Sequence, residues 1–145
     1  MKLTIADELI FGFPKPNVEY TDRRAVYVVI LGDDGQVAMV KSKDNYFLPG
    51  GGSLPDEAPE DTVLREVDEE LRRRVRLIRR IGEATQYFYS ATDERHYKMQ
   101  ALFFAGELTD EAHTGAGEHE LQWMPIGEAE RVCFHACHGW AIHQA

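Results

Sequence analysis

The sequence predicts an α/β (α+β) fold in which a mixed β-sheet is flanked by helices. Two observations carry that expectation: β-rich segments lie on both sides of one strongly amphipathic helix, and a second helical segment closes the chain. The length of 145 residues and the 43% hydrophobic content suit one domain, residues 1–145, with one core.

Residues 24–31 are dense in β-branched and aromatic side chains and read as a strand, followed by a Gly32-Asp-Asp-Gly35 turn and a returning hairpin arm over residues 36–41. A short strand over 45–48 ends at Pro49 and the run Gly50-Gly51-Gly52, where the backbone is free to take positive φ. Residues 57–74 switch to helical spacing, with Val63, Val67 and Leu71 four apart and Leu64 beside them. Asp56 is placed to cap this helix, and Pro59 falls in its first turn, where a missing N–H costs little. Residues 77–90 and 96–108 read as two long strands joined by a polar turn at 91–95. Residues 120–124 are a last strand, and helical turns cover about 127–143.

The net charge of −9 argues against a nucleic-acid polymer as partner and for metal cations or small ligands that arrive with them. The charge is also unevenly placed. Residues 56–70 carry eight acids against one base, while residues 71–80 carry six arginines and no acid. Those arginines are placed to complement the negative end of the helix dipole. Residues 1–13, with Asp7 and Glu8, lack the apolar run of a signal peptide, and nothing approaches a membrane span, so a cytoplasmic protein without a membrane partner is expected. Two cysteines, Cys133 and Cys137, make no disulfide framework.

On a helix each residue advances by about 100°, which puts Glu69 at about −60° and Glu70 at about +40° from Glu66. Three carboxylates thus share one face and repel one another unless a cation sits among them. Hard ions such as Mg²⁺ suit such oxygen ligands together with substrate phosphates. Charge pattern alone leaves a solvated acidic face as the plainer reading.

The spacing from Gly51 through Glu57 to Arg65-Glu66-Val67-Asp68-Glu69-Glu70 resembles the signature box of the Nudix hydrolases, G-x5-E-x7-R-E-U-x-E-E-x-G-U with U aliphatic. Leu48-Pro49-Gly50, the Tyr87-Phe88-Tyr89 strand, Trp123-Met124-Pro125 and the terminal helix extend the resemblance over nearly the whole chain. Arg72 and Arg73 depart from it, standing where the pattern has glycine and an aliphatic residue. The helix is therefore expected to run on for part of a turn, with Val75 taking the apolar contact.

The resemblance implies a MutT-like αβα sandwich, a mixed sheet between the box helix and a C-terminal helix. It implies hydrolysis of a pyrophosphate bond in a nucleoside diphosphate or triphosphate derivative, dependent on Mg²⁺, with Mn²⁺ as substitute. Glu66, Glu69 and Glu70 would hold metal, with the Gly50 carbonyl and Glu118 as further ligands. Glu57 would pair with Arg65, and Glu66, or alternatively Glu118, would be the general base. Gly51, Arg23 and Tyr87 are the candidate substrate contacts; the sequence does not set the oligomeric state, and the resemblance adds only that a homodimer is common among relatives. The cluster Cys133, His135, Cys137 and His138 lacks the second ligand pair of a zinc site and reads as core packing. The rival reading is a catalytically silent nucleotide-binding or regulatory module on the same fold.

Overall fold

The computed structural model describes residues 9–112 and 117–145. Asp7 and Glu8, and the first two residues of the 115–120 loop, lie outside them. In chain order the elements are β1 (Ile10–Phe11), β2 (Thr21–Ile30), β3 (Gln36–Ser42), β4 (Asn45–Phe47), β5 (Gly50–Gly52), α1 (Pro59–Leu71), β6 (Arg73–Ser90), β7 (Arg95–Ala112), β8 (Leu121–Pro125), α2 (Ile126–Val132) and α3 (Ala136–Gln144). Among the described residues no helix is long and apolar enough to cross a membrane.

The fold is mixed α and β as expected, but the strands form two sheets rather than one. Five strands run in the order β1-β6-β7-β2-β5 and three in the order β4-β3-β8. The expected hairpin between residues 24–31 and 36–41 is reduced to a bridge from Leu31 to Val37, because β2 pairs with β7 and β5 while β3 pairs with β4 and β8. Residues 25–30 are buried without a break, the mark of a strand covered on both faces rather than of a hairpin arm facing water.

The alternation of β2 explains both coverings. Val26, Val28 and Ile30 join a core cluster with Val63, Val67 and Leu71 of α1. Ala25, Tyr27 and Val29 join a second cluster with Cys137, Ala141 and Ile142 of α3. Each fully buried aliphatic side chain contributes about 1.5–3 kcal/mol, so the two helices are fastened to opposite faces of one strand. Leu64, expected with the helix core, is exposed.

Both ends of α1 differ from expectation. Ala58, not Asp56, is the N-cap, and Asp56 sits in the preceding loop with φ 63°. The helix stops at Leu71 instead of reaching residue 74. Arg72 takes the left-handed conformation (φ 51°, ψ 43°), and its N–H donates to the Asp68 carbonyl. Arg72 thus performs the turn that the box assigns to glycine, and Val75 is buried on β6 as expected. The arginines of residues 73–80 consequently lie along β6 and do not cap the helix: Arg76 pairs with Glu107, and Arg79 donates to the Gln144 carbonyl at 3.2 Å. The closing helical segment is broken at residues 133–135, where the Phe134 N–H donates to the Tyr46 carbonyl of β4 at 2.9 Å.

Candidate active site

The acidic face of α1 meets the edge strand β5, and glycine is what allows the approach. A Cβ on Gly51 would lie 2.6 Å from Glu66 Oε2, and one on Gly50, whose φ is +139°, would lie 2.2 Å from the Val26 carbonyl. The Gly50 N–H donates to Glu70 Oε1 at 2.9 Å. Arg65 fixes the opposite side of this face. Its Nε donates to Glu57 Oε2 at 2.8 Å, and its Nη2 donates to Glu57 Oε1 and to the Gly52 carbonyl, both at 3.0 Å. Its Nη1 lies 3.3 Å from Glu69 Oε2 and 3.6 Å from Glu66 Oε2. The bidentate hydrogen bond from Arg65, reinforced by the Leu54 N–H, holds the Glu57 carboxyl down at about 2. Glu57 therefore stays charged and anchors the β5–α1 loop to the helix.

Residues 117–119 close the C-terminal end of α1. The amides of Glu118 and His119 donate to the carbonyls of Glu69 and Glu70 at 3.1 and 2.9 Å, satisfying groups that a helix end leaves without partners. A Cβ on Gly117 would stand 2.2 Å from the Glu70 carbonyl oxygen, so the loop packs this closely because residue 117 is glycine. Glu118 is thereby brought to the box acids.

Burial pushes the Glu70 carboxyl up to about 8, against the Gly50 hydrogen bond and with help from Glu66, Glu118 and Glu69. Burial likewise raises Glu66, and Glu69 and Glu118 add to the rise while Arg65 and Arg23 oppose it. The four acids therefore feel one another's charge. They are nevertheless not gathered into a ligand cage: among the described residues no three His, Cys, Asp or Glu side chains converge as for a metal. The Gly50 N–H donates to Glu70, and Arg65 Nη1 lies beside the Glu69 carboxylate. The donor chemistry still fits a hard divalent cation, since oxygen ligands predominate and a cation would relieve the repulsion that opposes ionisation of Glu70.

Glu70, Gly50 and Gly51 line a cavity of about 500 Å³. Arg23 lines it, with its guanidinium 5.9 Å from the Tyr97 ring centroid and beside Gly52, where a Cβ would meet it at 3.3 Å. Tyr87 does not line it. Its ring packs edge-on against Tyr20 at 5.3 Å, and the neighbouring Phe88 and Tyr89 face the cavity instead. Arg24 lines a different cavity with Glu57 and Arg80.

Sequence reasoning missed Tyr27, Tyr97 and His135 as cavity residues, and no local spacing signals them. Cys137 and His138 are core, as expected, with the Cys137 thiol pushed up to about 12 by burial. His135, placed with them in the sequence reading, is a wall of the cavity.

The sequence model of the NUDIX domain matches residues 21–140, which include all of α1, β5 and the 117–119 loop. This chain belongs to the NUDIX family. RNA pyrophosphohydrolases from Pseudomonas putida and Pseudomonas fluorescens are 39% identical to it over 51 residues, or 34% of this chain. The match spans about a third of those relatives, 32% of their length. Solved structures share the NUDIX fold at low identity. A dihydroneopterin triphosphate pyrophosphohydrolase from E. coli superposes with TM-score 0.65 at 20% identity over 83% of this chain and 92% of that one. A MutT protein from Methanosarcina mazei gives 0.64 at 18% over 88% and 95%, and a NUDIX hydrolase from Nitrosomonas europaea gives 0.63 at 18% over 86% and 88%.

Proposed function

We propose that this NUDIX protein hydrolyses a pyrophosphate bond in a nucleoside diphosphate linked to another moiety, with Mg²⁺ as cofactor and Mn²⁺ as substitute. The carrying observation is that Glu70, Gly50 and Gly51 line the same cavity as Arg23. One box acid, Glu70, and a phosphate-binding cation then face one space.

Glu66, Glu69, Glu70 and Glu118, with the Gly50 carbonyl, would hold the metal, which neutralises charge on the phosphate oxygens and makes a bound water more acidic. Arg23 binds the diphosphate beside Gly51, whose missing side chain makes room for the Glu66 carboxylate. Glu66 is the base. Its carboxylate, which burial raises above the usual carboxylate range, takes a proton from the water that attacks phosphorus as the P–O bond to the leaving phosphate breaks. Arg65, held by Glu57, orients the carboxylates of Glu66 and Glu69.

Nucleotide sugars, dinucleoside polyphosphates, oxidised nucleoside triphosphates and 5′-triphosphorylated RNA, assayed with Mg²⁺ and with products resolved, form the test. Turnover is expected on a small nucleotide derivative, with Glu69→Gln and Glu70→Gln each folded and at least about 100-fold slower. Full activity in both variants, or after chelation of divalent metal, overturns the mechanism. Tight nucleotide binding with no turnover on any substrate supports the silent-module reading, against which the filled charged positions of the box argue.

A further inference from the structure

Resting on that hydrolase reading, we propose that Thr62 is a positioning residue of the site: its hydroxyl holds the Glu57 carboxylate in the orientation that keeps Arg65 in place beside Glu66 and Glu69. Thr62 is the fourth residue of α1, is 0% exposed and lines neither cavity. Its Oγ1 lies 2.8 Å from Glu57 Oε1, 3.0 Å from Ser53 Oγ and 3.3 Å from the Ala58 carbonyl. A hydroxyl has one proton to give. Donation to an ionised carboxylate is the strongest of these choices and here the shortest, so the proton goes to Glu57 and the Ser53 hydroxyl donates to Thr62.

A threonine inside a helix ordinarily bonds back to the carbonyl four residues earlier. Here that carbonyl, of Ala58, is the most distant of the three partners and already accepts from the Thr62 N–H at 3.0 Å. The carboxylate, not the helix, therefore sets the hydroxyl.

Glu57 Oε1 also accepts from Arg65 Nη2 and from the Leu54 N–H, both at 3.0 Å. Thr62 and Arg65 are three apart on α1 and stand side by side on its surface, so one carboxylate spans them. The two holds differ in stiffness. Arg65 is a long, partly exposed side chain with several rotatable bonds, whereas a buried threonine has one restricted torsion. Without the hydroxyl the carboxylate follows the guanidinium, whose Nη1 stands 3.3 Å from Glu69 Oε2 and 3.6 Å from Glu66 Oε2. The helix entry adds no hold of its own, because the N-cap residue Ala58 makes no side-chain hydrogen bond.

The test is solvent exchange of the Arg65 Nε–H, followed by nitrogen-15 NMR in the metal-free protein, together with kcat and KM on any substrate that the panel yields. Thr62→Val keeps the buried volume and removes the hydroxyl. Its Nε–H is expected to exchange about 10-fold faster than in wild type, the size of one hydrogen bond to a charged group, and kcat to fall about 10-fold with KM within about 2-fold. Thr62→Ser, which returns the hydroxyl, should stay within about 3-fold of wild type in exchange and in kcat. In a Glu57→Ala background Thr62→Val should alter exchange by less than about 2-fold, because the group it acts through is gone. Wild-type exchange in folded Thr62→Val, a folded Thr62→Ser that behaves as Thr62→Val does, a full effect of Thr62→Val in Glu57→Ala, or an unchanged kcat where substrate is turned over, overturns the proposal. If Thr62→Val does not fold, Thr62→Cys, of similar volume and with a far weaker donor, takes its place. Absence of hydrolysis across the panel overturns the hydrolase reading alone, because exchange is read without turnover.

Discussion

Glu70 combines two roles that pull against each other: its carboxylate must ionise to hold a cation, yet burial and three neighbouring acids hold it near 8. Between its ordinary value of 4.5 and about 8 the native state binds more protons than the unfolded chain. Its contribution to metal-free stability is thus fully present below about 4.5 and is lost as pH rises through about 8. His135 acts oppositely, from 6.5 down to about 3, so the difference between wild type and Glu70→Gln isolates the carboxyl. Above pH 6.5 urea denaturation without metal should show wild type losing stability relative to Glu70→Gln by up to about 1.4 kcal/mol per pH unit, levelling off past about 8. Divalent metal should flatten that slope, since it takes the proton's place. Gly51 gives a second test at this scale. Gly51→Ala puts a methyl 2.6 Å from Glu66 Oε2, so kcat should fall about 100-fold with far-ultraviolet circular dichroism unchanged.

The exit of α1 shows how an element survives a departure from its family pattern. Arg72 in the left-handed region costs about 1–2 kcal/mol relative to glycine, against at most about 1 kcal/mol from its exposed pair with Asp68. Arg72→Gly is expected to raise stability by about 1 kcal/mol in urea denaturation with activity retained. The loop that caps the same helix end has no such tolerance. Gly117→Ala drives a methyl into the Glu70 carbonyl, and a loss of about 1–3 kcal/mol is expected together with reduced turnover, because Glu118 moves with the loop. The helix itself was legible in the sequence, since Val63, Val67 and Leu71 mark its buried face by spacing alone. Its ends were not legible: the last carbonyls are satisfied by amides of residues 118 and 119, and no local pattern announces a partner so distant along the chain.

For the whole molecule, the charge of −9 has a place as well as a size: the block 56–70 carries eight acids, and Glu70 from it lines the cavity. Mg²⁺ should therefore raise Tm as well as restore turnover after chelation, with a thermal shift that grows from pH 6 to pH 8 as Glu70 gives up its proton. A shift independent of pH would remove Glu70 from the metal's ligands. The sequence by itself determined the box: the acids at helical spacing and the glycines of β5 lie within one short stretch, where local geometry fixes neighbours, while the Glu57–Arg65 pairing was implied by the family resemblance. Only the tertiary structure decided what faces that box. Arg23, Tyr97, residues 117–119 and His135 come from separate elements, and β2 left its expected hairpin because a strand buried on both faces needs partners on both edges. Such meetings depend on strand pairing and burial across the chain, as with Leu48 and His138, 90 residues apart, and a periodicity read along the sequence holds no record of them.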